Sequence, residues 1–385
     1  MTQISMEAVF FLAAGIVLYT YALYPVLVVL FGIILPRSVL SSDCPLPSVS
    51  LIISAFNEEG VIEEKLRNSL ELDYPSDLLE RIVASESTDR THEIVESFSG
   101  RGVQLRSFEG RLGKPATLYR VMPSVRGEMV VFSDANAMYR SDAIRMLARG
   151  FADPSVGCVV GQMQYTSASG SVGGRGEQAY WWYDRQVRQA ANQVAGLVPG
   201  INGAIFAIRK ALYLPISRER GDDYELCTRV AIHGHAVVLE PDAIAEEEAS
   251  ENASQQYARK VRLVRWNMMS SYLLLKEAVV LGRWLITFQI VSHRLLRYLV
   301  PVWLLLAFGS AVWLAGGSFA FRVVVVLQMA FYSCGALGWM ADRAGVALPK
   351  ILLIPSYFLL VNSAALVGIV SGLVRGQQNI WQKVR

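Results

Sequence analysis

Four stretches without a charged side chain constrain this chain more than any other feature of its sequence. They cover residues 8–36, 299–321, 323–341 and 351–374. A helix needs roughly 20 apolar residues to cross the hydrocarbon core of a bilayer, and each stretch is close to that length or longer. Charged residues make up only 18% of the chain, whereas soluble domains carry about 25%. The sequence therefore predicts a membrane protein with one span near the N-terminus and three near the C-terminus.

The flanks of the first stretch favour an uncleaved anchor over a secretory signal peptide. Glu7 precedes the stretch, Pro36 is its last residue, and Arg37 follows it. A signal peptide would have basic residues before a shorter apolar region and small residues at a cleavage site. We therefore expect residues 1–36 to form an N-terminal transmembrane anchor.

Residues 37–272 differ from these stretches, because they mix both signs of charge with glycine and proline turns. We expect one globular domain there. Basic residues lie close to the membrane on this side, and by the positive-inside rule they place the domain in the cytoplasm, at a bacterial-type inner or plasma membrane. These residues are Arg37, Lys276, Arg283, Arg294 and Arg297. The net charge of +3 is too small to indicate a nucleic-acid partner.

The C-terminal part divides into three segments. We expect amphipathic interfacial helices over residues 273–298, transmembrane helices over 299–374 and a basic tail over 375–385. One span before the domain and three after it place the tail on the far side, although its basic residues favour the cytoplasm. Either Pro355 breaks the last run into a re-entrant segment, or residues 284–296 form another span. The basic residues of that stretch favour an interfacial helix.

The four cysteines do not indicate a disulfide framework or a zinc site. They are far apart in the chain and form no CxxC pair. Reduced thiols are also what a cytoplasmic domain is expected to carry.

Within the domain, short apolar runs alternate with segments of helical spacing. Strands are predicted at residues 49–54, 81–84, 103–105, 128–132, 156–163, 203–209 and 236–239. Helices are predicted at residues 61–72, 91–98, 115–122, 178–193, 222–234 and 255–271. This alternation predicts an α/β fold with a mostly parallel sheet. Ligands of such sheets bind beyond the carboxyl ends of the strands, where the polar loops lie, so we expect one shared site.

These polar loops resemble the motifs of family 2 glycosyltransferases, in the order of that family, over about residues 48–270. The matching segments are Ser54-Ala55-Phe56-Asn57-Glu58-Glu59, Ser87-Thr88-Asp89, Gly113-Lys114, Ser133-Asp134-Ala135-Asn136, Asp222-Asp223-Tyr224-Glu225-Leu226 and Arg262-Leu263-Val264-Arg265-Trp266. The resemblance implies a GT-A-type nucleotide-sugar-binding domain with transmembrane helices at both ends. It is strongest to membrane-bound β-glycan synthases of the poly-N-acetylglucosamine, chitooligosaccharide and hyaluronan types. Ceramide glucosyltransferases share the layout of one anchor before the domain and several after it.

A divalent metal is expected at Asp134 and Asn136, which project from one loop at a strand end. Breaking the bond to the anomeric carbon adds charge to a diphosphate leaving group, and Mg²⁺ or Mn²⁺ held by oxygen ligands neutralises that charge. The family usually has a second Asp where Asn136 stands. A turn capped by its own Asp and Asn side chains is the other interpretation of this pattern.

The resemblance implies that the loops after the first two strands bind the nucleoside of a UDP-sugar donor. Ser85 and Glu86 stand where the family usually has Asp-Gly. A flexible ammonium suits a phosphate, and arginines can hold a diphosphate in a bidentate manner. The predicted donor contacts are Ala55, Asn57, Glu59, Ser85, Asp89, Lys114, Asp134, Arg262 and Arg265.

The paired carboxylates at a helix start carry the predicted chemistry. A like-charged neighbour raises the pKa of one carboxyl group, which helps it accept a proton. By the resemblance, Asp223 is the base that deprotonates the acceptor hydroxyl, so that direct attack inverts the anomeric carbon. The predicted acceptor contacts are Asp222, Trp181, Tyr183 and Trp266. Aromatic rings suit the C–H face of a sugar, although rings at helical spacing also fit a packed core.

The sequence thus predicts an inverting membrane glycosyltransferase that extends a β-linked polysaccharide from a UDP-sugar, with UDP-GlcNAc or UDP-glucose favoured. A hydrophilic polymer cannot cross hydrocarbon unaided, so the C-terminal helices would form its path. A single transfer to a lipid acceptor is the alternative within enzymes. A non-catalytic membrane scaffold or sensor is the alternative from another class. A transporter fits less well, because the spans carry almost no ionisable residues. The oligomeric state is left open.

Overall fold

A computed structural model describes residues 2–37, 45–165, 172–201, 203–216, 222–248, 253–344, 346 and 350–375. The strands are β1 (Val49–Ala55), β2 (Leu79–Ser85), β3 (Val103–Ser107), β4 (Met129–Asp134), β5 (Met138–Tyr139), β6 (Val156–Tyr165), β7 (Ile205–Arg209) and β8 (Ala236–Glu247). The helices before β4 are α1 (Gln3–Leu18), α2 (Tyr24–Ile34), α3 (Ile62–Leu70), α4 (Thr91–Glu96) and α5 (Lys114–Val121). The later helices are α6 (Ala143–Arg149), α7 (Val172–Asn192), α8 (Asp222–Ile232), α9 (Ala253–Val280), α10 (Trp284–Gln289), α11 (Leu296–Leu314), α12 (Phe319–Arg343) and α13 (Lys350–Arg375).

The strands form one eight-stranded sheet in the order β3-β2-β1-β4-β7-β6-β8-β5. Four neighbouring pairs are parallel, namely β1–β2, β1–β4, β2–β3 and β6–β8. The antiparallel pairs are β4–β7, β6–β7 and β5–β8. The predicted α/β class with a mostly parallel sheet is therefore confirmed. The register pairs Ala55 with Ser85 and Ser54 with Asp134, so the carboxyl ends of the first strands meet at one edge.

The sheet is buried on both faces, which explains why its strands are continuous apolar runs. Leu51 and Ile53 of β1 lie in one hydrophobic cluster, whereas Ile52 between them lies in a second. Side chains alternate across a strand, so the sheet separates two cores. The sequence pattern missed β5 and α6, because β5 has only two residues and α6 only seven.

Four helical segments are long and apolar enough to cross a membrane, as far as the structure describes the chain. They are Gln3–Ile34, Trp284–Leu314, Phe319–Ala341 and Leu352–Val374. The first contains a π-helical turn at Tyr19–Leu23 between α1 and α2, and α1 packs along α11. These segments match the four predicted stretches in number, although the second runs over Trp284–Leu314 where the sequence predicted 299–321.

The C-terminal helices bear on the alternatives that the sequence left open. Pro355 lies inside α13, which continues through it, so the helix is not broken there. A separate interfacial helix does not form over 284–296 either, since α10 passes through a π-helical turn, Ile290–Leu295, directly into α11. Its buried residues, among them Ile286 and Ile290, belong to the core on one face of the sheet. The boundary expected at 272 also falls inside α9.

Arg37 joins the end of the first membrane segment to the α/β domain. Its guanidinium donates to the carbonyl oxygens of Val237 at 2.6 Å, Leu197 at 2.9 Å and Val194 at 3.1 Å. Burial lowers the pKa of Arg37 to about 10, yet three carbonyl acceptors compensate the buried charge. The residue predicted to mark the cytoplasmic side is thus also a structural clamp.

Candidate active site

A cavity of about 450 Å³ lies at the edge where β1, β2 and β4 end. Its wall contains the predicted donor residues Ala55, Lys114 and Asp134. The other lining residues are Ser54, Phe56, Ala84, Glu86, Arg111, Gly113 and Thr117. A larger, more open cavity adjoins it and shares Phe56, Glu86 and Arg111, whose guanidinium lies 4.9 Å from the Phe56 ring centroid. The position agrees with the rule that ligands bind beyond the carboxyl ends of parallel strands.

Lys114 and Asp134 form an ion pair in the wall of the first cavity. Lys114 is the first residue of α5, after Gly113 in a left-handed backbone conformation with φ 86°. Its Nζ donates to Asp134 Oδ1 at 2.7 Å, with side-chain exposures of 13% and 33%. This half-buried pair places an ammonium group and a carboxylate where a charged ligand can contact both.

The predicted metal ligands lie together in the loop after β4. Asn136 Nδ2 donates to Glu247 Oε1 at 2.8 Å, so the end of β8 brings a second carboxylate to this loop. No three His, Cys, Asp or Glu side chains cluster tightly enough to enclose a metal ion in the part of the chain that the structure describes. Mg²⁺ and similar ions often take only one or two protein carboxylates and complete their shell with substrate phosphates and water. The donor set of Asp134 with Asn136 fits an ion of that kind.

Lys65 of α3, which is not among the predicted site residues, supports the same loop. Its side chain is fully buried, donates to the carbonyl oxygen of Ala137 and lies 4.0 Å from the ring centroid of Tyr139. Burial lowers the pKa of the Lys65 ammonium to about 7, and the charge of Asp134 partly opposes this. Asn68, one turn later, bonds the N–H and the C=O of Tyr139, both at 2.8 Å. The sequence feature that could have pointed to Lys65 is a lysine at a core-facing position of α3.

Ser85 does not take the place in the cavity that the sequence predicted for it. Its hydroxyl is buried, lies 2.9 Å from His92 Nε2, donates to Ser87 Oγ at 2.8 Å and accepts from the Ser87 N–H at 3.1 Å. These bonds to its neighbours use up the hydrogen-bonding capacity of a hydroxyl. Ser85 therefore shapes the loop.

Glu86 occupies the cavity wall instead. Its Oε2 accepts from the N–H groups of Leu112 at 2.8 Å and Gly113 at 3.0 Å. Its Oε1 is buried without a hydrogen-bond partner among the residues that the structure describes, and Ser54 Oγ in the same cavity is in the same state. A buried acceptor without a partner costs free energy, which a ligand N–H can recover. The sequence feature that could have pointed to Glu86 is the replacement of the usual Asp-Gly by Ser85 and Glu86.

Asn57, Glu59 and Asp89 brace the two loops against each other. Asn57, with φ 54°, accepts from the N–H of Thr88 at 2.8 Å and also lines the second cavity. Glu59 pairs with Arg90 at 3.2 Å in an exposed position. Burial would raise the pKa of Asp89, but hydrogen bonds from Thr91 and from the Glu59 N–H outweigh it and lower that pKa. The contacts of Glu59 and Asp89 are therefore those of loop supports.

Asp223 lies at the start of α8, close to the end of β4. Its Oδ1 accepts from the Tyr224 N–H at 2.8 Å. A Cβ added to Gly203 would lie 2.8 Å from Asp223 Oδ2, so the carboxylate rests directly against this glycine. Ser133 pairs with Ile205 between β4 and β7, which places Gly203 near the Asp134 loop at the same sheet edge. The structure thus brings both key carboxylates to one edge, whereas the side chain of Asp222 lies outside the described residues.

The helix α9 carries Arg262 and Arg265, and Arg262 lies near enough to this edge of the sheet to interact with Asp134. The Arg262 guanidinium lies 5.4 Å from the Trp266 ring centroid. Burial lowers the pKa of Arg262, with Arg259 acting in the same direction and Asp134 opposing, so Arg262 and Asp134 interact electrostatically. Arg265 packs with its aliphatic part toward Gly372 of α13.

Of the two aromatic residues predicted on α7 to contact the acceptor, the structure describes the side chain of Tyr183 only. The Tyr183 hydroxyl donates to the carbonyl oxygen of Tyr21 at 2.9 Å, and its ring packs against the cluster around Tyr24 and Val28. Tyr183 is thus a packing residue between α7 and the first membrane segment, which is the alternative that helical spacing had left open. The side chain of Trp181 lies outside the described residues.

Comparison with known proteins agrees with this geometry. Residues 47–268 match the family model described as glycosyltransferase like family 2. The match covers more than half of the chain, so the chain belongs to this family. The predicted family is therefore confirmed.

Curated relatives include a probable glycosyltransferase, YdaM, of Bacillus subtilis, 29% identical over 246 residues, which cover 60% of this chain and 57% of the relative. A beta-monoglucosyldiacylglycerol synthase of Synechocystis is 29% identical over 216 residues, covering 54% and 45%. An N-acetylglucosaminyltransferase of Rhizobium meliloti is 22% identical over 256 residues, covering 60% and 58%. The chain spans about half the length of the curated relatives it matches.

Among solved structures, the mannosyltransferase PcManGT from Pyrobaculum calidifontis, in complex with GDP-Man and Mn²⁺, superposes with a TM-score of 0.71. The two chains are 20% identical, and the match covers 97% of this chain and 100% of the other. The likeness therefore extends over the membrane helices as well as the α/β domain, and it confirms the fold.

Proposed function

We propose that this protein is an inverting glycosyltransferase that moves a sugar from a nucleotide-sugar donor to a hydroxyl group at the membrane surface. The observation that carries the proposal is the placement of Asp134 and Asp223 at one sheet edge, beside a cavity that holds Lys114 and Glu86. Membership of family 2 and the strand-end position of the cavity support it.

The donor diphosphate would lie between Lys114, Arg262 and the loop of Asp134. Two cations close to the leaving group stabilise the charge that develops when its bond to the anomeric carbon breaks. A Mg²⁺ or Mn²⁺ ion on Asp134 and Asn136 would neutralise the same charge when bound. The structure solved with GDP-Man and Mn²⁺ supports this choice of ions.

Asp223 would act as the general base. The acceptor hydroxyl gives its proton to the Asp223 carboxylate while its oxygen bonds to the anomeric carbon from the face opposite the leaving diphosphate. An α-linked donor then gives a β-linked product and a free nucleoside diphosphate. A positioned base of this kind is worth about 10²- to 10⁴-fold in rate.

The donor is proposed to be a UDP-sugar, with UDP-glucose or UDP-GlcNAc favoured. Glu86 Oε1 is a buried acceptor in the cavity and suits the single N–H on the pairing edge of uracil. Relatives named as a monoglucosyldiacylglycerol synthase and an N-acetylglucosaminyltransferase support these two sugars. Glu86 therefore replaces Ser85 in the donor assignment.

The acceptor is proposed to be a membrane lipid with a free hydroxyl. The helix α9 carries the site cation Arg262 and also exposes Leu263, Met269 and Tyr272, each more than 40% accessible. A helix with both basic and exposed apolar side chains suits the membrane interface, where a lipid headgroup lies. The glucosyldiacylglycerol synthases of three cyanobacteria, each 29% identical over the matched part, support this acceptor.

Extension of a β-linked polysaccharide is the second candidate, supported by the rhizobial N-acetylglucosaminyltransferases at 22% and 23% identity. In both cases the α/β domain is proposed to face the cytoplasm, where nucleotide sugars are available. The basic residues at the membrane boundary support this orientation.

The test uses the full chain in nanodiscs that contain diacylglycerol. UDP-glucose, UDP-GlcNAc and GDP-mannose are supplied separately with Mn²⁺, Mg²⁺ or EDTA, and the products are identified by mass. We expect one UDP-sugar to give a lipid product enlarged by a single sugar unit, a hexose or an N-acetylhexosamine, with EDTA abolishing transfer. A ladder of soluble oligosaccharides would favour the polymer. Absence of nucleotide binding and of transfer with all three donors would contradict the proposed function.

A further inference from the structure

The loop between α7 and β7, described at residues 193–201 and 203–204, is held by a side chain of the helix that enters the membrane. Gln289, the last residue of α10, is 7% exposed. Its Oε1 accepts from the N–H of Val198 at 3.0 Å, and its Nε2 donates to the carbonyl oxygen of Val198 at 2.7 Å. One amide side chain thus satisfies both backbone polar groups of a buried loop residue, as a neighbouring strand would.

The packing behind the loop makes these two bonds important. A cavity of about 300 Å³ separates the loop at Pro199 and Ile201 from Thr228 of α8. The Thr228 hydroxyl is buried there without a hydrogen-bond partner among the residues that the structure describes. Packing between the loop and α8 is therefore incomplete on that side. Val198 and Ile201 also pack in one hydrophobic cluster and Leu197 in another, so hydrogen bonds and packing together position the loop.

A second support comes from α7 and reaches the same helix. Arg188 Nη1 donates to the carbonyl oxygen of Gly200 at 3.4 Å, and Arg188 Nε donates to Asp184 Oδ2 at 2.6 Å. The other Asp184 oxygen lies 3.6 Å from Arg297 Nη1, at the start of α11. Both supports of the loop thus depend on Trp284–Leu314, the segment that is long enough to cross the membrane.

The far end of the loop contacts the proposed base. Gly203 lies against the Asp223 carboxylate, so a shift of the loop changes the room that this carboxylate has. The donor cavity is formed by other elements, namely the ends of β1, β2 and β4 with the start of α5. A change at Gln289 would therefore act on the acceptor side of the reaction and leave the donor side intact.

We propose that Gln289 is a positioning residue that couples the membrane-entering helix to the loop behind the catalytic base. This inference rests on the proposed function. The π-helical turn that follows Gln289 is the irregularity that lets the helix meet the loop here and continue into α11. Such turns are frequent at functional sites.

The experiment compares Gln289→Met with the matched control Thr287→Val. Methionine keeps the length and shape of the side chain and removes both hydrogen bonds. Thr287 lies on the same helix, and its buried hydroxyl has no partner in the described part of the chain, so its loss leaves the loop unchanged. For Gln289→Met we expect kcat for transfer to fall roughly 10- to 100-fold, because small misplacements near the chemistry have effects of that size. The Kd for UDP should stay within twofold of the control.

Hydrogen exchange of the nanodisc-embedded protein gives a readout that does not depend on activity. The peptide containing Val198 should exchange faster in Gln289→Met than in Thr287→Val. Equal exchange in the two variants, or equal kcat for transfer, would overturn the proposal. If Gln289→Met does not fold, Gln289→Glu replaces it, since it cannot donate to Val198 and should show the same fall in kcat. Failure of the wild-type protein to bind any nucleotide would instead contradict the proposed function.

Discussion

The two halves of the candidate site are supported in different ways. The donor half consists of strand-end loops that brace one another, as Asn57 does with Thr88 and Glu86 with Gly113. The acceptor half, around Asp223, depends on a loop held by Gln289 and by Arg188. A water-soluble donor can be bound by a self-supporting sheet edge. The lipid acceptor that we propose would instead meet a surface that is attached to membrane helices.

Asp223→Asn is expected to have the largest effect among the variants that test this difference between the two halves. The variant keeps the shape of the side chain but cannot accept the acceptor proton, so we expect transfer to fall about 10²- to 10⁴-fold. The Kd for UDP, measured by calorimetry, should be unchanged because Asp223 does not line the donor cavity. Asp242→Asn, an exposed position in β8, is the control. Turnover of Asp223→Asn at the control rate would show that the base is another residue.

Glu86→Gln should affect the opposite half. Loss of a charged acceptor costs about 1.5–3 kcal/mol, so UDP should bind about 10- to 100-fold more weakly. Ser85→Ala, which alters only the loop, should have a much smaller effect on the same Kd. The reverse order of the two variants would restore the role that the sequence predicted for Ser85.

Gly203→Ala probes the contact between the loop and the base. The added Cβ would lie 2.8 Å from Asp223 Oδ2, too close for an ordinary contact, so the carboxylate has to move. We expect kcat for transfer to fall about tenfold, as misplacement of a reacting group does, with UDP affinity unchanged. Gly60→Ala has open space around the new methyl group and is the matched control. Equal kcat in both variants would show that Asp223 tolerates the shift.

The smallest effect is a pH dependence from Lys65 beneath the Asp134 loop. Burial lowers its pKa to about 7 from an ordinary value of 10.5. Between these values the unfolded chain binds more protons than the folded one, so stability rises with pH through this window. The Tm of the wild-type protein should therefore rise relative to that of Lys65→Met between pH 7 and pH 9, by several degrees at about 2–4 °C per kcal/mol. A constant difference in Tm would show that the Lys65 ammonium keeps its ordinary pKa.

The sequence predicted the fold and the donor loops better than the acceptor side, for a physical reason. Buried parallel strands are visible as apolar runs, and their order places polar loops such as that of Asp134 at one edge. The hydrogen-bond partners of Gln289 and Arg188 lie in other segments of the chain, and the helical or strand periodicity of a segment does not reveal such contacts. For Ser85 and Glu86, a motif position does not say which of two adjacent side chains points into a cavity. For Tyr183, helical spacing is the same for a ring in a core and a ring in a site, so the sequence left both interpretations open.

The hydrogen bonds of Arg37 attach the α/β domain to the end of the first membrane segment. Its guanidinium links the end of the first membrane segment to β8 and to the loop after α7, so a tilt of the segment acts on the sheet. A bilayer that thickens or thins tilts the helices within it, and here such a tilt would carry the reacting edge toward or away from the headgroups. Under the proposed transfer to a lipid, bilayer thickness would then change how readily the acceptor hydroxyl reaches Asp223.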